Sequence, residues 1–299
     1  MTLSLGAAPP ASARSEGRAR PRVAVVIGSG GVKCAAAMGM WKVLARERIP
    51  VDVVVGCSGG AIYAAAMALG FDVTEAERQT LVGWRDLFGR LHRRSVLRAV
   101  FPRLLRFSER VGLLDDRRVD ATLRAVYGAR TFADCGIPLF LVATDYATGE
   151  KVTLDAGPVA DAVRASIALP LLLRAVPRDG RLLADGGLSN PLPVDVAIRE
   201  RCDVILAMGF ESVLPRVGSL VGAVGRISSI VTNHLLRATY AFHSLAHHAE
   251  VIPLMPQIDA RIGLTDADAV PALIAAGERA TEAQLPYLHR ILAAGAGIR

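Results

Sequence analysis

Hydrophobic and polar positions along the first part of the chain follow two alternating patterns. "RVAVVIG", Arg22 to Gly28, is an apolar β-branched run without internal polar positions, the signature of a strand buried on both faces. The residues after it, "VKCAAAMGMWKVLARERI", are helix formers arranged around an apolar face. Both patterns repeat: "VDVVVG" from Val51 to Gly56 predicts a second strand, and Ser58 to Leu69 a second helix. Strand, helix, strand, helix implies an α/β fold whose central, mostly parallel sheet is sandwiched by helices.

Between about Phe71 and Tyr127 strand signals vanish, and the pattern predicts a helical insertion that forms a cap. Arginines from Arg78 to Arg110 alternate there with Trp84, Leu87, Phe88, Leu91, Leu97 and Phe101, giving a basic amphipathic stretch. Strands return in "IPLFLVATD" (Ile137 to Asp145) and "KVTLD", spaced as a hairpin. A helix over "GPVADAVRASIALP" ends at Pro170, "RLLADGG" is a strand fragment running into glycines, and "CDVILAMGF" is another buried strand. Val217 to His248 predicts one or two long helices, "EVIPLM" a last strand, and Asp266 to Ala294 closing helices, so the part from 217 to 299 is mainly helical.

A chain of 299 residues that is 52% hydrophobic can bury a large core, and we expect one domain over residues 21–299 behind a disordered tail at 1–20. The formal charge of +7 favours anionic surfaces, including peripheral contact with an anionic membrane. Aromatics make up only 5%, and no helix-turn-helix, zinc-finger or RNA-binding signature is present, which argues against nucleic acid. Cys34, Cys57, Cys135 and Cys202 are widely spaced, indicating neither a metal site nor a disulfide framework, and a reducing, cytoplasmic setting is the expectation. The first residues make a poor secretory signal, and no apolar run reaches the length of a membrane span.

Three places carry chemistry. Gly56-Cys57-Ser58-Gly59-Gly60 is a Gly-x-Ser-x-Gly turn between strand and helix, the frame that lifts a nucleophilic hydroxyl above a sheet. The same residues also suit an ordinary serine N-cap. "GSGGVK", comprising Gly28, Ser29, Gly30, Gly31, Val32 and Lys33, follows the first strand. It lacks the third glycine of a dinucleotide fingerprint, and Asp52 is a mediocre ribose ligand. It also lacks P-loop spacing. A glycine turn exposing consecutive backbone N–H groups fits an oxyanion hole beside the neighbouring strand's serine, and a ligand-free βα turn remains its alternative. Asp185, followed by Gly186 and Gly187, would ordinarily be a turn former. It matters because Ser58 lacks an evident base: His92, His234, His243, His247, His248 and His289 all fall in helical or amphipathic segments, and an α/β-hydrolase would place more strands before its elbow.

Taken in chain order, these three motifs resemble the patatin-like phospholipase family. "VATDYATGE" (Val142 to Glu150), "RASIALP" (Arg164 to Pro170) and "LSNPLPVDVA" (Leu188 to Ala197) extend the likeness over about Arg22 to Phe210. The resemblance implies a three-layer patatin-like fold and a catalytic pair of Ser58 as nucleophile with Asp185 as its base. It implies an oxyanion hole from the amides of Gly30, Gly31 and Val32, with Gly28, Ser29, Lys33, Gly56, Gly60, Gly186 and Gly187 as supporting motif positions. Lys33 stands where the family usually has arginine, and Cys34 where it usually has glycine, which would crowd the start of the first helix. The implied activity is cleavage of fatty-acyl esters of lipids or phospholipids through an acyl-enzyme, without metal or cofactor. A thioesterase or carboxylesterase on the same pair, or an idle lipid-binding scaffold, are the alternatives.

Overall fold

The computed structural model describes residues 20–88, 114–170, 172–211, 220–246, 249–259, 261–263 and 266–296. Residues 1–19 of the expected tail and 89–113 of the arginine-rich stretch lie outside the described residues, as do His92, His247 and His248. β1 (Val23–Ile27), β2 (Val53–Cys57), β3 (Leu139–Asp145), β7 (Val204–Met208) and β8 (Glu250–Leu254) form the parallel part of one sheet, in the order β3, β2, β1, β7, β8. β4 (Lys151–Leu154), β5 (Val176–Arg178) and β6 (Arg181–Asp185) extend it by antiparallel pairing.

Helices cover both faces. α1 (Ala36–Arg46), α2 (Gly59–Ala68), α3 (Val73–Phe88), α4 (Asp116–Tyr127), α5 (Val159–Ser166), α8 (Val270–Glu282) and α9 (Leu285–Ala296) contribute to the larger core, and α6 (Val194–Arg199) and α7 (Leu220–Ala246) to the smaller. Alternation of side chains along each strand divides the two: Val23, Val25 and Ile27 of β1 join the larger core, whereas Ala24 and Val26 join the smaller. Two buried faces leave no place for a polar side chain, which is why the central strands read as unbroken apolar runs.

The long segment near the C-terminus is one helix over its described residues, and the closing helices are integral to the core. α8 crosses α1 so closely that a methyl group at Gly277 would lie 1.8 Å from the Ala36 carbonyl oxygen, and one at Gly39 would lie 2.0 Å from that of Ile274. Three details depart from expectation. The first helix opens as a 3-10 turn over Gly31–Ala35 before α1 begins. α5 stops at Ser166 and not Pro170, because Ala168 turns its carbonyl to the Asp185 N–H, 3.0 Å away. β5 and α6 were not anticipated: β5 is only three residues long with Pro177 inside it, and α6 is only six. Among the described residues no helix is long and apolar enough to cross a membrane.

Candidate active site

Pairing along β3 brings the serine and aspartate together. Leu141 and Val142 are paired with both β2 and β4, so those strands occupy opposite edges of β3. Ala143 and Thr144 are paired with both β4 and β6, which puts β6 on the edge where β2 ends. β2 runs parallel to β3 and β6 antiparallel, so their C-terminal ends meet head to head: Cys57 pairs with Val142 and Asp185 with the next residue, Ala143. A residue leaving β2 and the residue closing β6 are thereby forced into contact.

Ser58 is the residue leaving β2. Its φ of 55° and ψ of −129° form a backbone conformation uncommon for a side chain with a Cβ, and its hydroxyl makes no capping bond to α2. The Oγ instead donates to Asp185 Oδ2 at 2.6 Å. An ordinary N-cap serine would spend that oxygen on the first turn of its helix. The tight exit depends on close packing: a methyl group at Gly60 would lie 2.4 Å from the Ile27 carbonyl oxygen and 2.6 Å from that of Gly28. Gly56 faces Ala64 and the backbone of Ala61 in the same strand-to-helix contact.

Asp185 is 3% exposed. Its Oδ1 accepts from the Gly187 N–H at 2.7 Å, while Thr144 Oγ1 donates to its main-chain oxygen at 2.8 Å. Burial raises its carboxyl pKa to about 6, and the bonds from Ser58 and Gly187 oppose that rise. Of the described histidines, His234 and His289 are exposed on helices and His243 is buried on α7 beside the Phe242 ring. Ser58 is therefore engaged by a carboxylate.

The glycine loop abuts both. Gly28 N–H donates to Met208 O at 2.9 Å and Ser29 N–H to Pro191 O at 2.7 Å, which anchors the loop to β7 and to the segment after Asp185. Gly187 touches Ser29, and Gly59 of α2 touches the Gly31 carbonyl. Gly30 lies against the Phe210 ring and Gly31 has φ 57°. The first bond of the following 3-10 turn runs from Lys33 N–H to Gly30 O, so the N–H groups of Gly31 and buried Val32 precede it and have no partner within the turn. Lys33 is itself buried: its ammonium donates to the Glu211 carbonyl at 2.8 Å, and desolvation lowers its pKa. Its charge thus ties the loop to the end of β7. Cys34 fits without displacing α2, its thiol donating to Gly28 O at 3.3 Å, and burial pushes its pKa well up. Asp52 is committed elsewhere, accepting from Arg20 and from the Val23 N–H, which leaves it no ribose role.

Sequence reasoning marked the segments around Ser166, Thr144 and Asn190 without giving those residues a task. Ser166 Oγ accepts from the Ser58 N–H at 2.9 Å and donates to Val142 O at 2.7 Å, so it ties the strained serine to β3. Thr144 holds Asp185, and its hydroxyl also lies 2.8 Å from Ser189 Oγ. Asn190 takes the Cys57 thiol on its carbonyl and donates its side-chain amide to Asp195, which also pairs with Lys151. Only a serine in "RASIALP", buried where a helix should be ending, could have signalled this. Among the described residues no cluster of three or more His, Cys, Asp or Glu could hold a metal ion.

Comparison with known proteins agrees with the motif order. The family model for patatin-like phospholipase matches residues 25–198. An uncharacterised NTE family protein of Mycobacterium tuberculosis is 29% identical over 237 residues, 79% of this chain and 62% of the relative, so the chain spans under two thirds of that protein's length. The patatin-like phospholipase domain-containing protein 7 of Rattus norvegicus is 29% identical over 193 residues, 64% of this chain and 14% of the relative. Among solved structures, VipD from Legionella pneumophila aligns over 87% of this chain and 67% of its own at 14% identity, with a TM-score of 0.43.

Proposed function

This chain belongs to the patatin-like phospholipase family, and from that premise we propose that it is a serine acyl hydrolase cleaving fatty-acyl esters of lipids. The observation that carries the reading is the 2.6 Å hydrogen bond between Ser58 Oγ and a buried Asp185 carboxylate, made where two strands meet head to head. We read residues 21–299 as one such unit.

A carboxylate cannot strip an alcohol in the ground state, because the two pKa values lie far apart. The proton therefore moves to Asp185 as the Ser58 oxygen attacks the ester carbonyl. Raising the carboxyl pKa to about 6 makes the base stronger, and its Gly187 hydrogen bond keeps the second oxygen oriented. The C–O bond to the leaving alcohol then breaks, the alcohol takes the proton from Asp185, and the acyl group stays on Ser58. Water attacks that ester while giving a proton to Asp185. The fatty acid leaves, and Ser58 recovers its hydrogen. Negative charge on the tetrahedral oxygen falls to the amides of Gly30, Gly31 and Val32, each well-placed donor contributing about 3 kcal/mol, together with the N-terminal end of α2.

Partial exposure of Ser58 leaves its hydroxyl open to a substrate. The same reading includes peripheral contact with an anionic membrane through α7, which contains no Asp or Glu and exposes Ile227, Ile230, Val231 and Phe242. Fluorophosphonate labelling and hydrolysis of p-nitrophenyl butyrate test the reading. Ser58→Ala should abolish both, and Asp185→Asn should lower turnover by at least about a hundredfold, with circular dichroism unchanged. Near-normal turnover by Asp185→Asn would refute the pair.

A further inference from the structure

Ser166 is the last residue of α5 and is 0% exposed, and its hydroxyl serves other chain segments instead of its own helix. Hydroxyls within helices commonly return their hydrogen to the carbonyl four residues back, as Thr80 does to Ala76 O at 2.7 Å and Thr281 to Gly277 O at 2.8 Å. Ser166 Oγ donates to Val142 O of β3 at 2.7 Å and accepts from the Ser58 N–H at 2.9 Å. A hydroxyl has one hydrogen, a carbonyl oxygen only accepts and an amide N–H only donates, so neither bond can reverse. The side chain is a fixed bridge from β3 to the peptide that enters Ser58.

The orientation of that peptide bears on where Ser58 Oγ points. Ser58 has φ 55° and ψ −129°, a conformation that persists only where its surroundings over-determine it. Relaxation of φ toward the negative values preferred by a residue with a Cβ would turn the N–H off Ser166 and shift Oγ relative to Asp185, whose Oδ2 it meets at 2.6 Å. Two residues beyond Ser166, Ala168 O accepts from the Asp185 N–H at 3.0 Å. One short segment after α5 thus holds the main chain of both partners. The sheet beneath it is equally specific: Val142, the acceptor for Ser166, pairs with Cys57, and the next residue, Ala143, pairs with Asp185.

Resting on the acyl-hydrolase reading, we propose that Ser166 is a positioning residue for acyl transfer, its hydroxyl holding the Ser58 main chain so that Oγ stays on Asp185. It acts through Ser58 and takes no part in the proton transfer. Loss of the hydroxyl should therefore slow the chemical step and leave substrate binding alone.

Kinetics and a titration test it together. In p-nitrophenyl butyrate hydrolysis, Ser166→Ala should lower kcat at least about tenfold with KM within about twofold, and fluorophosphonate labelling should slow by the same factor. The second measurement needs no turnover: NMR titration of protein carrying isotope-labelled aspartate, with the Asp185 signal identified by its loss in Asp185→Asn. The Ser58 hydrogen bond holds that carboxyl's pKa down against the effect of burial, so Ser58→Ala, which deletes the donor, sets the full upward shift. Ser166→Ala should reproduce most of that shift, and the two changes together should add little to it. The Cys34 and Cys57 thiols feel the same carboxylate, and burial keeps both protonated across the titration. Ser166→Cys keeps a weaker acceptor of similar shape, serves where Ser166→Ala does not fold, and should show the same changes in smaller measure. Wild-type kcat with an unmoved Asp185 titration in a folded variant would overturn the positioning role and leave the hydrolase reading intact. In a protein that neither labels nor hydrolyses the ester, the hydrolase reading falls and the titration alone decides. A shift shared by Ser166→Ala and Ser58→Ala then upholds the hold on Ser58, and an unmoved titration in Ser166→Ala overturns it.

Discussion

At the scale of single residues, the Ser58 and Asp185 pair sets a pH dependence whose sign can be worked out. In the proposed mechanism Asp185 serves as base only when ionised, and burial has raised its pKa to about 6. The kcat/KM for a neutral ester should then fall on the acid side with a midpoint near pH 6, well above the usual carboxylate range. Stability runs the other way. The folded protein holds the Asp185 proton more tightly than the unfolded chain, so between about pH 4 and 6 stability declines as pH rises. Above pH 6 the buried charge costs about 3 kcal/mol; below pH 4 that cost is gone. Asp185→Asn carries no such charge. Its melting temperature should exceed that of the wild type above pH 6, and the difference should vanish as pH falls to 4. A midpoint near 4 in the activity profile would mean that the carboxylate is solvated in solution.

At the scale of elements, the site depends on how closely α2 approaches β1 and the glycine loop. Gly60→Ala would place a methyl 2.4 Å from one fixed carbonyl oxygen and 2.6 Å from another. Backbone cannot swing aside as a flexible side chain can, so α2 must lift. We expect a loss of about 1–3 kcal/mol in denaturant unfolding, together with a fall in kcat larger than any rise in KM, since the shift separates Ser58 from the loop. These close approaches are local, and the glycines that permit them stand next to one another in the chain; this is why the elbow and the loop could be read before any fold was known. The central strands could be read too, because two buried faces leave an unmistakable apolar run. The contact between Ser58 and Asp185 could not be read from local pattern, since it arises from β6 taking the edge of β3 where β2 ends, across more than a hundred intervening residues. Family resemblance supplied that pairing in advance; periodicity did not. Ser166 and Thr144 stayed without roles for the same reason: their partners are main-chain atoms of distant strands.

At the scale of the whole molecule, the placement of α7 bears on how the candidate site could meet a lipid surface. Leu236 and Tyr240 fix one face of this helix against Gly209, and Tyr240 Oη donates to Ala207 O at 2.7 Å. That anchors α7 at the end of β7, the strand whose Met208 carbonyl also holds the glycine loop. On the opposite face Ile227, Ile230 and Val231 occupy i, i+3 and i+4 positions, with Phe242 farther along at 61% exposure. The helix has no acidic residue, its Arg237 pairs with Glu211 at 2.8 Å, and the chain as a whole carries +7. Apolar side chains beside positive charge match an anionic bilayer, whose surface attracts cations and whose interior accepts the apolar row. The protein should co-sediment with vesicles containing phosphatidylglycerol more than with phosphatidylcholine alone, and added salt should weaken that difference. Ile227→Asp with Val231→Asp should cut vesicle binding by at least about tenfold while p-nitrophenyl butyrate turnover stays unchanged, because neither residue touches Ser58, Asp185 or the loop. Binding indifferent to lipid charge, or unaffected by the double change, would transfer the membrane role away from α7.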